Sequence, residues 1–228
     1  MLRKIDLLGD SLADRLDPQI LLELFVRVRH DDDAKARHHR GAVVARVACV
    51  DEVLLVDTNH HETQAARIEG LESYYGSVLS EDFELTAPLD GLGHFLALTH
   101  NDEVNSLACV HFAPIFGRGH TFQIAPEDNA HGAEEMPLHL RGKMLFGEQV
   151  RFWSLESRFR HGAVVKSTRL GDEFKWEDFL TAHEREDAPV LPLFVVRADG
   201  KLRVVTAGPE PDPQSGDTVI AIVDPPPE

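Results

Sequence analysis

Cysteine is nearly absent from these 228 residues; Cys49 and Cys109 stand far apart and outside any metal-ligand spacing. Neither a disulfide framework nor a zinc knuckle is expected, and a reducing compartment is the natural one. Basic residues are also in short supply, 23 against 39 acidic ones, for a net charge of −16. Nucleic acids are held by Lys and Arg that displace counterions, so no nucleic-acid partner is expected. No apolar run approaches the length that spans a bilayer. Asp6, Asp10 and Asp14 interrupt the N-terminal stretch where a signal peptide needs an unbroken apolar segment. Glycine is missing where a phosphate-binding turn would use it: Gly41 is the single glycine between residues 20 and 52.

The most informative stretch is residues 53–81, VLLVDTNHHETQAARIEGLESYYGSVLSE. Val53, Leu54, Leu55 and Val56 form an apolar run without alternation, as in a parallel strand covered on both faces. Asp57 ends it, and Thr58 or Asn59 then caps a helix with an acidic first turn that runs through Ala65, Ala66 and Ile68 to Gly70. Tyr74 and Tyr75 begin a second strand that Gly76 closes. An acid at the carboxyl end of a parallel strand suits a ribose, because a carboxylate accepts hydrogen bonds from both hydroxyls. It suits helix capping equally well.

Residues 20–28, ILLELFVRV, fit either a strand or a helical turn. The run that follows, residues 29–40, is charged and has no apolar face; residues 41–50, GAVVARVACV, are apolar again. His30, Asp31, Asp32, Asp33, His38 and His39 have the chemistry of metal ligands, but no ordered scaffold is evident to fix them, so no metal is expected. Beyond residue 81 the pattern predicts a helix through Phe83, Leu85 and Leu89 that Gly91 and Gly93 end. It continues with a strand over 94–99, a helix with Val104, Leu107, Ala108 and Phe112 at helical spacing, and a strand over 121–125. Strands alternating with helices specify a parallel sheet with right-handed crossovers.

Residues 127–150 read as a connector, opening with the polar, Pro-bounded 126–137. Residues 151–228 read as a small, separately organised α+β unit. It has a helix carrying Phe152, Leu155 and Phe159 on one side and a half-exposed strand over 163–169. Trp176, Phe179 and Leu180 mark a short helix. An Asp199-Gly200 hairpin joins strands 192–197 and 201–206, and a last strand covers 217–223. The fold class expected is α/β: an incomplete Rossmann-like parallel sheet over 53–126, then the α+β domain, with 1–52 atypical.

LLVD at 54–57, YYGSVLSE at 74–81 and LALTHNDEVNSLA at 96–108 resemble the N-terminal half of the cytosolic RCK (KTN, Trk-type) regulatory region of bacterial cation:proton antiporters. GAVVKSTRL at 162–170, LPLFVV at 191–196 and PQSGDTVIAIV at 213–223 resemble its C-terminal half. The Thr-x-Asn-Asp-Glu-x-Asn and Gly-Asp-Thr-Val segments are the more specific pieces. The resemblance implies that NAD, NADH or another adenine nucleotide binds at the strand ends. Asp57 would hold the ribose with Thr58 and Asn59 beside it, Gly76 and Ser77 would flank the adenine, and Thr99 and Asn101 would border the ligand. Asp102 and Glu103 would start the next helix. Strands 53–57 and 94–99 would lie side by side, and the sensor reading with its residue assignments is made to rest on that pairing.

The same family opens with a strand and a Gly-x-Gly-x-x-Gly turn just before the position of Val53, and this chain has none. A compensated reading-frame disturbance over roughly residues 20–50 would explain the loss; a glycine-rich phosphate loop should then appear when the coding DNA is read in another frame. The membrane-spanning region of such antiporters is also missing, so the chain is not expected to move ions. The resemblance thus implies a nucleotide-sensing regulatory domain with weakened ligand binding. It would be a homodimer in the cytoplasm, held at the inner face of the plasma membrane by an antiporter subunit. No enzymatic activity, catalytic residue or metal site is expected. Two alternatives are an NAD(P)-dependent oxidoreductase, for which His60, His61 and His100 lack an obvious carboxylate partner, and an inactive or interaction-only remnant.

Overall fold

The computed structural model describes residues 23–28, 50–68, 70–127, 141–185 and 188–225, with side chains from residue 53 onward. Strand β1 (Glu23–Val28) is the first element; within residues 20–28, strand wins over helical turn. The histidines and aspartates of 30–39, Gly41 and Cys49 lie outside the described residues, as does most of the polar stretch after Pro126.

Strand β2 (Val50–Asp57) leads into helix α1 (His60–Ile68), strand β3 (Glu72–Tyr75), helix α2 (Glu81–Thr86) and strand β4 (His94–Ala97). Helix α3 (Asp102–Phe116), a 3-10 turn (Arg118–His120), strand β5 (Thr121–Gln123) and strand β6 (Lys143–Met144) complete the first sheet. Its order is β3-β2-β1-β4-β5-β6. The pairs β2/β3, β4/β5 and β5/β6 are parallel, as the strand-helix alternation predicts. Strand β6 lies within the stretch read as a connector.

Three expectations need correction. Strands 53–57 and 94–99 do not pair, because β1 lies between them and runs antiparallel to both. Their side-by-side placement assumed that the first strand had been lost; ELFVRV fills its slot instead. Helix α2 stops at Thr86 rather than reaching Leu89: Pro88 disfavours helical geometry at the residue before it, and Ala87 is extended at φ −71°, ψ 133°. In α3 the buried face is Asn105, Ala108, Cys109, Phe112 and Phe116, while Leu107 is 56% exposed. Gly117, at φ 80°, ends that helix as predicted.

A second sheet is wholly antiparallel in the order β7-β10-β8-β9. Helix α4 (Phe152–Arg160) precedes β7 (Val164–Arg169), and helix α5 (Trp176–His183) precedes β8 (Leu191–Val196). Strand β9 (Leu202–Val204) follows across the Asp199-Gly200 turn, and β10 (Thr218–Val223) closes the fold.

Strand alternation divides the core. On β4, Phe95 and Ala97 join Leu54, Val56, Phe83 and Phe112 in a cluster under α2 and α3. Leu96 and Leu98 turn to the other face and pack with Phe122, Leu145, Phe152, Leu155, Leu193 and Ile222, drawn from both sheets. A third cluster seats Phe179 of α5 on Val219, Ala221 and Val223 of β10. Residues 144–146 tie the layers together: Leu145 N donates to Gln123 O at 2.8 Å, Phe146 N to Val205 O at 2.9 Å, and Met144 O accepts from Ala207 N at 2.9 Å.

Candidate functional site

The predicted residues sit at the carboxyl ends of β2, β3 and β4 in two groups. Asp57 ends β2, opposite Tyr75 in register. Its carbonyl accepts from Gly76 N at 2.8 Å, and its side-chain Oδ1 accepts from Asn59 N at 2.8 Å. Asp57 is only 7% exposed, and Oδ2 is buried with no hydrogen-bond partner among the described residues. Burial foremost, with help from the nearby Glu62 charge, raises its pKa above the usual carboxylate value against the pull of the Asn59 and Thr58 amides.

Thr58 and Asn59 are exposed. Asn59 caps α1, accepting from His61 N at its Oδ1 (3.0 Å) and from Thr63 N at its carbonyl (3.1 Å). Gly76 takes φ 152°, and a Cβ there would stand 2.6 Å from the Tyr74 ring. Ser77 holds the turn into α2: its Oγ accepts from Leu79 N at 3.2 Å, and its carbonyl accepts from Ser80 Oγ at 2.7 Å. His60 and Tyr75, both exposed, meet edge to face beside Asp57 with centroids 5.2 Å apart.

Thr99 and Asn101 form the second group, on the far side of β1. Asn101 caps α3 by accepting from Val104 N at 3.0 Å, and its own N–H donates to Thr99 Oγ1 at 3.1 Å. Asp102 and Glu103 do open α3. Asp102 Oδ2 accepts from Glu127 N at 3.0 Å, and its pKa is raised chiefly by burial.

Two polar residues central to these groups were not singled out from sequence. Asn105 is fully buried and holds the loop at Thr99; it stands in the Thr-x-Asn-Asp-Glu-x-Asn segment already marked as specific. Glu62 is 4% exposed, and its Oε2 is buried and unpaired among the described residues. The Asn59-x-x-Glu62 spacing of a capping box was the available signal. His61 does have a carboxylate neighbour, with Nδ1 3.3 Å from Glu62 Oε1.

At the opposite end of the sheet, His94 and His120 meet with ring nitrogens 3.3 Å apart. Burial first, and the His120 charge second, lower the His94 pKa to about 4. The described residues hold no group of three or more His, Cys, Asp or Glu able to bind a metal, and no helix long and apolar enough to cross a membrane. No family model matches the sequence, and no curated protein is significantly similar to it.

Proposed function

We propose that the chain is a nucleotide-sensing regulatory domain of a cation:proton antiporter system, with ligand binding weakened by the reversal of its central strand. One observation carries this reading. The strand order β3-β2-β1-β4-β5-β6 is that of doubly wound dinucleotide-binding sheets, which take their ligand at the carboxyl ends of the parallel strands. Asp57, ending the second strand with a buried oxygen unpaired among the described residues, then meets a ribose hydroxyl of NAD, NADH or another adenine nucleotide.

The weakening follows from the direction of β1. Its register sets Glu23 against Val56 and Val28 against Val50, so its carboxyl end lies at the opposite edge from Asp57. A loop leaving β1 therefore starts at the edge opposite Asp57, so β1 does not lead into a phosphate-binding turn at the crevice as the first strand of a dinucleotide-binding sheet does. Ligand binding biases the transporter partner through its differential affinity for two states. On this reading the chain is a homodimer in the cytoplasm, held at the inner face of the membrane by an antiporter subunit; the exposed Leu107, Val110 and Ile115 of α3 are apolar surface that such a contact could cover.

Titration calorimetry with NADH, NAD, ATP and AMP tests the proposal. Dissociation constants between about 0.1 and 1 mM are expected for at least one of them. Binding at about 1 μM would refute the weakening, and silence from all four at several times about 1 mM would refute the sensor. The reversal of β1 also favours a second reading, an interaction-only remnant, which that silence would leave standing.

A further inference from the structure

We infer that the His94–His120 pair is a proton-operated latch: it pins the turn between α3 and β5 to the sheet while His120 is neutral, and lets that turn go when His120 takes up a proton. The pair lies at the amino end of β4, away from the crevice, so the inference stands independently of the nucleotide-sensing reading.

The direction of the hydrogen bond follows from what surrounds His94. Its Nε2 lies 3.3 Å from His120 Nδ1, the two rings meeting at 79° with centroids 4.9 Å apart. Its Nδ1 is buried and has no hydrogen-bond partner among the described residues. A neutral imidazole carries one proton, on one nitrogen or the other. On Nδ1 that proton would be a buried donor without an acceptor, whereas on Nε2 it is donated to His120. The lone pair then left at Nδ1 is the milder deficit, because buried acceptors go unpaired more often than buried N–H groups do. His94 is therefore the donor, and His120 Nδ1 the acceptor.

His120 is exposed and ends the 3-10 turn, where its N–H donates to Gly117 O at 3.0 Å. A proton added at its Nδ1 turns the acceptor into a donor and sets one N–H against another. Either His94 shifts its own proton to the sealed Nδ1, or the rings part. The first response costs about ten- to a hundredfold in population; the second, which gives up one neutral hydrogen bond and returns an exposed ring to water, costs about fivefold. Parting is the cheaper course.

No neighbouring carboxylate reverses that balance, since neither ring is in an ion pair among the described residues. The charged groups on the surrounding elements are Arg118 in the same turn and Lys143 of β6, whose Nζ stands 5.9 Å from the centroid of Phe122, the ring on which His94 stacks at 14°. Both are cations and offer an imidazolium no acceptor. Burial holds His94 neutral down to about pH 4, so the incoming proton goes to His120.

Long-range nitrogen–proton NMR and amide exchange on the full chain test the latch between about pH 8 and about pH 5, the interval in which imidazoles titrate. At the upper pH His94 should carry its proton on Nε2. Across the interval the protection of the residue-120 amide should fall about tenfold or more. His120→Gln supplies a side-chain oxygen that still accepts from His94 and takes up no proton, so in this variant the fall should vanish. An equal fall in the native chain and in His120→Gln overturns the latch, as does a His94 proton found on Nδ1 at the upper pH. Exchange at residue 120 as slow as at Leu96 throughout would show that the turn opens only when the whole chain unfolds, and that result overturns it too. Circular dichroism confirms that the variant is folded before its exchange is compared.

Discussion

Asn105 closes a ring of hydrogen bonds on Thr99: its Oδ1 accepts from Thr99 N at 3.1 Å and from Thr99 Oγ1 at 2.7 Å, and its Nδ2 donates to Thr99 O at 2.8 Å. A side-chain amide thereby serves both main-chain groups of the residue that follows β4, where the sheet ladder has ended. Replacing it with alanine leaves a donor and an acceptor without partners. Asn105→Ala should lower unfolding free energy by about 2–3 kcal/mol in urea melts, and a loss below about 0.5 kcal/mol would mean that water takes over the amide's role.

Asp57 should behave in the opposite sense. Its pKa is raised in the folded state, so its contribution to stability is fullest below the ordinary carboxylate value of 3.8 and is lost as pH rises through the folded value. At neutral pH the buried charge is a burden. Asp57→Asn keeps an acceptor for the Asn59 amide and should raise stability at pH 7 by on the order of 1 kcal/mol, in the same chain whose nucleotide binding it weakens. A stability unchanged or reduced at pH 7 would show that the orphan oxygen is solvated in solution.

His94 gives the fold an acid-sensitive element. Its pKa is depressed from 6.5 to about 4, so stability is fully present above 6.5 and declines as the unfolded chain takes up the proton first. Unfolding free energy should fall by about 2 kcal/mol between pH 7.5 and pH 5 through this group. His94→Gln should flatten that part of the profile, and an equal fall in the variant would assign the acid sensitivity elsewhere.

Asp217 anchors the second sheet. It is 3% exposed and accepts from Arg197 Nη1 at 2.7 Å, Gln214 N at 2.8 Å and Ala198 N at 2.9 Å. Burial pulls its pKa upward, yet these donors together prevail and the net shift is downward. Its stabilisation is therefore present above 3.8 and lost as pH falls through the lower folded value. Asp217→Ala strands the Arg197 charge and two amides and should cost about 3 kcal/mol in the same melts. A cost under about 1 kcal/mol would show that the turn holds without it.

Much of this was legible in the sequence, and the rest was not for physical reasons. Apolar runs such as 53–56 and 219–223 announce buried strands because every side chain in them must leave water, and Gly117 and Gly200 mark ends that need positive φ. The two segments singled out as specific contain Asn105 and Asp217, each a buried polar group that holds a turn. Strand direction was hidden, because ELFVRV carries the same pattern read either way and its partners are set by tertiary pairing. The unpaired oxygens of Asp57 and Glu62 were hidden for a related reason: which oxygen of a buried carboxylate finds a donor depends on distances that spacing alone does not give.

The short stretch 144–146 has a consequence for how the molecule comes apart. Its backbone groups are shared between Gln123 on one side and Val205 and Ala207 on the other, and Leu145 is wholly buried among residues of both sheets. Opening either layer therefore strips partners from its neighbour, and calorimetry should record one melting peak rather than two. A cut on either side of Leu145 leaves both fragments with raw apolar faces, so separately expressed halves should precipitate instead of refolding.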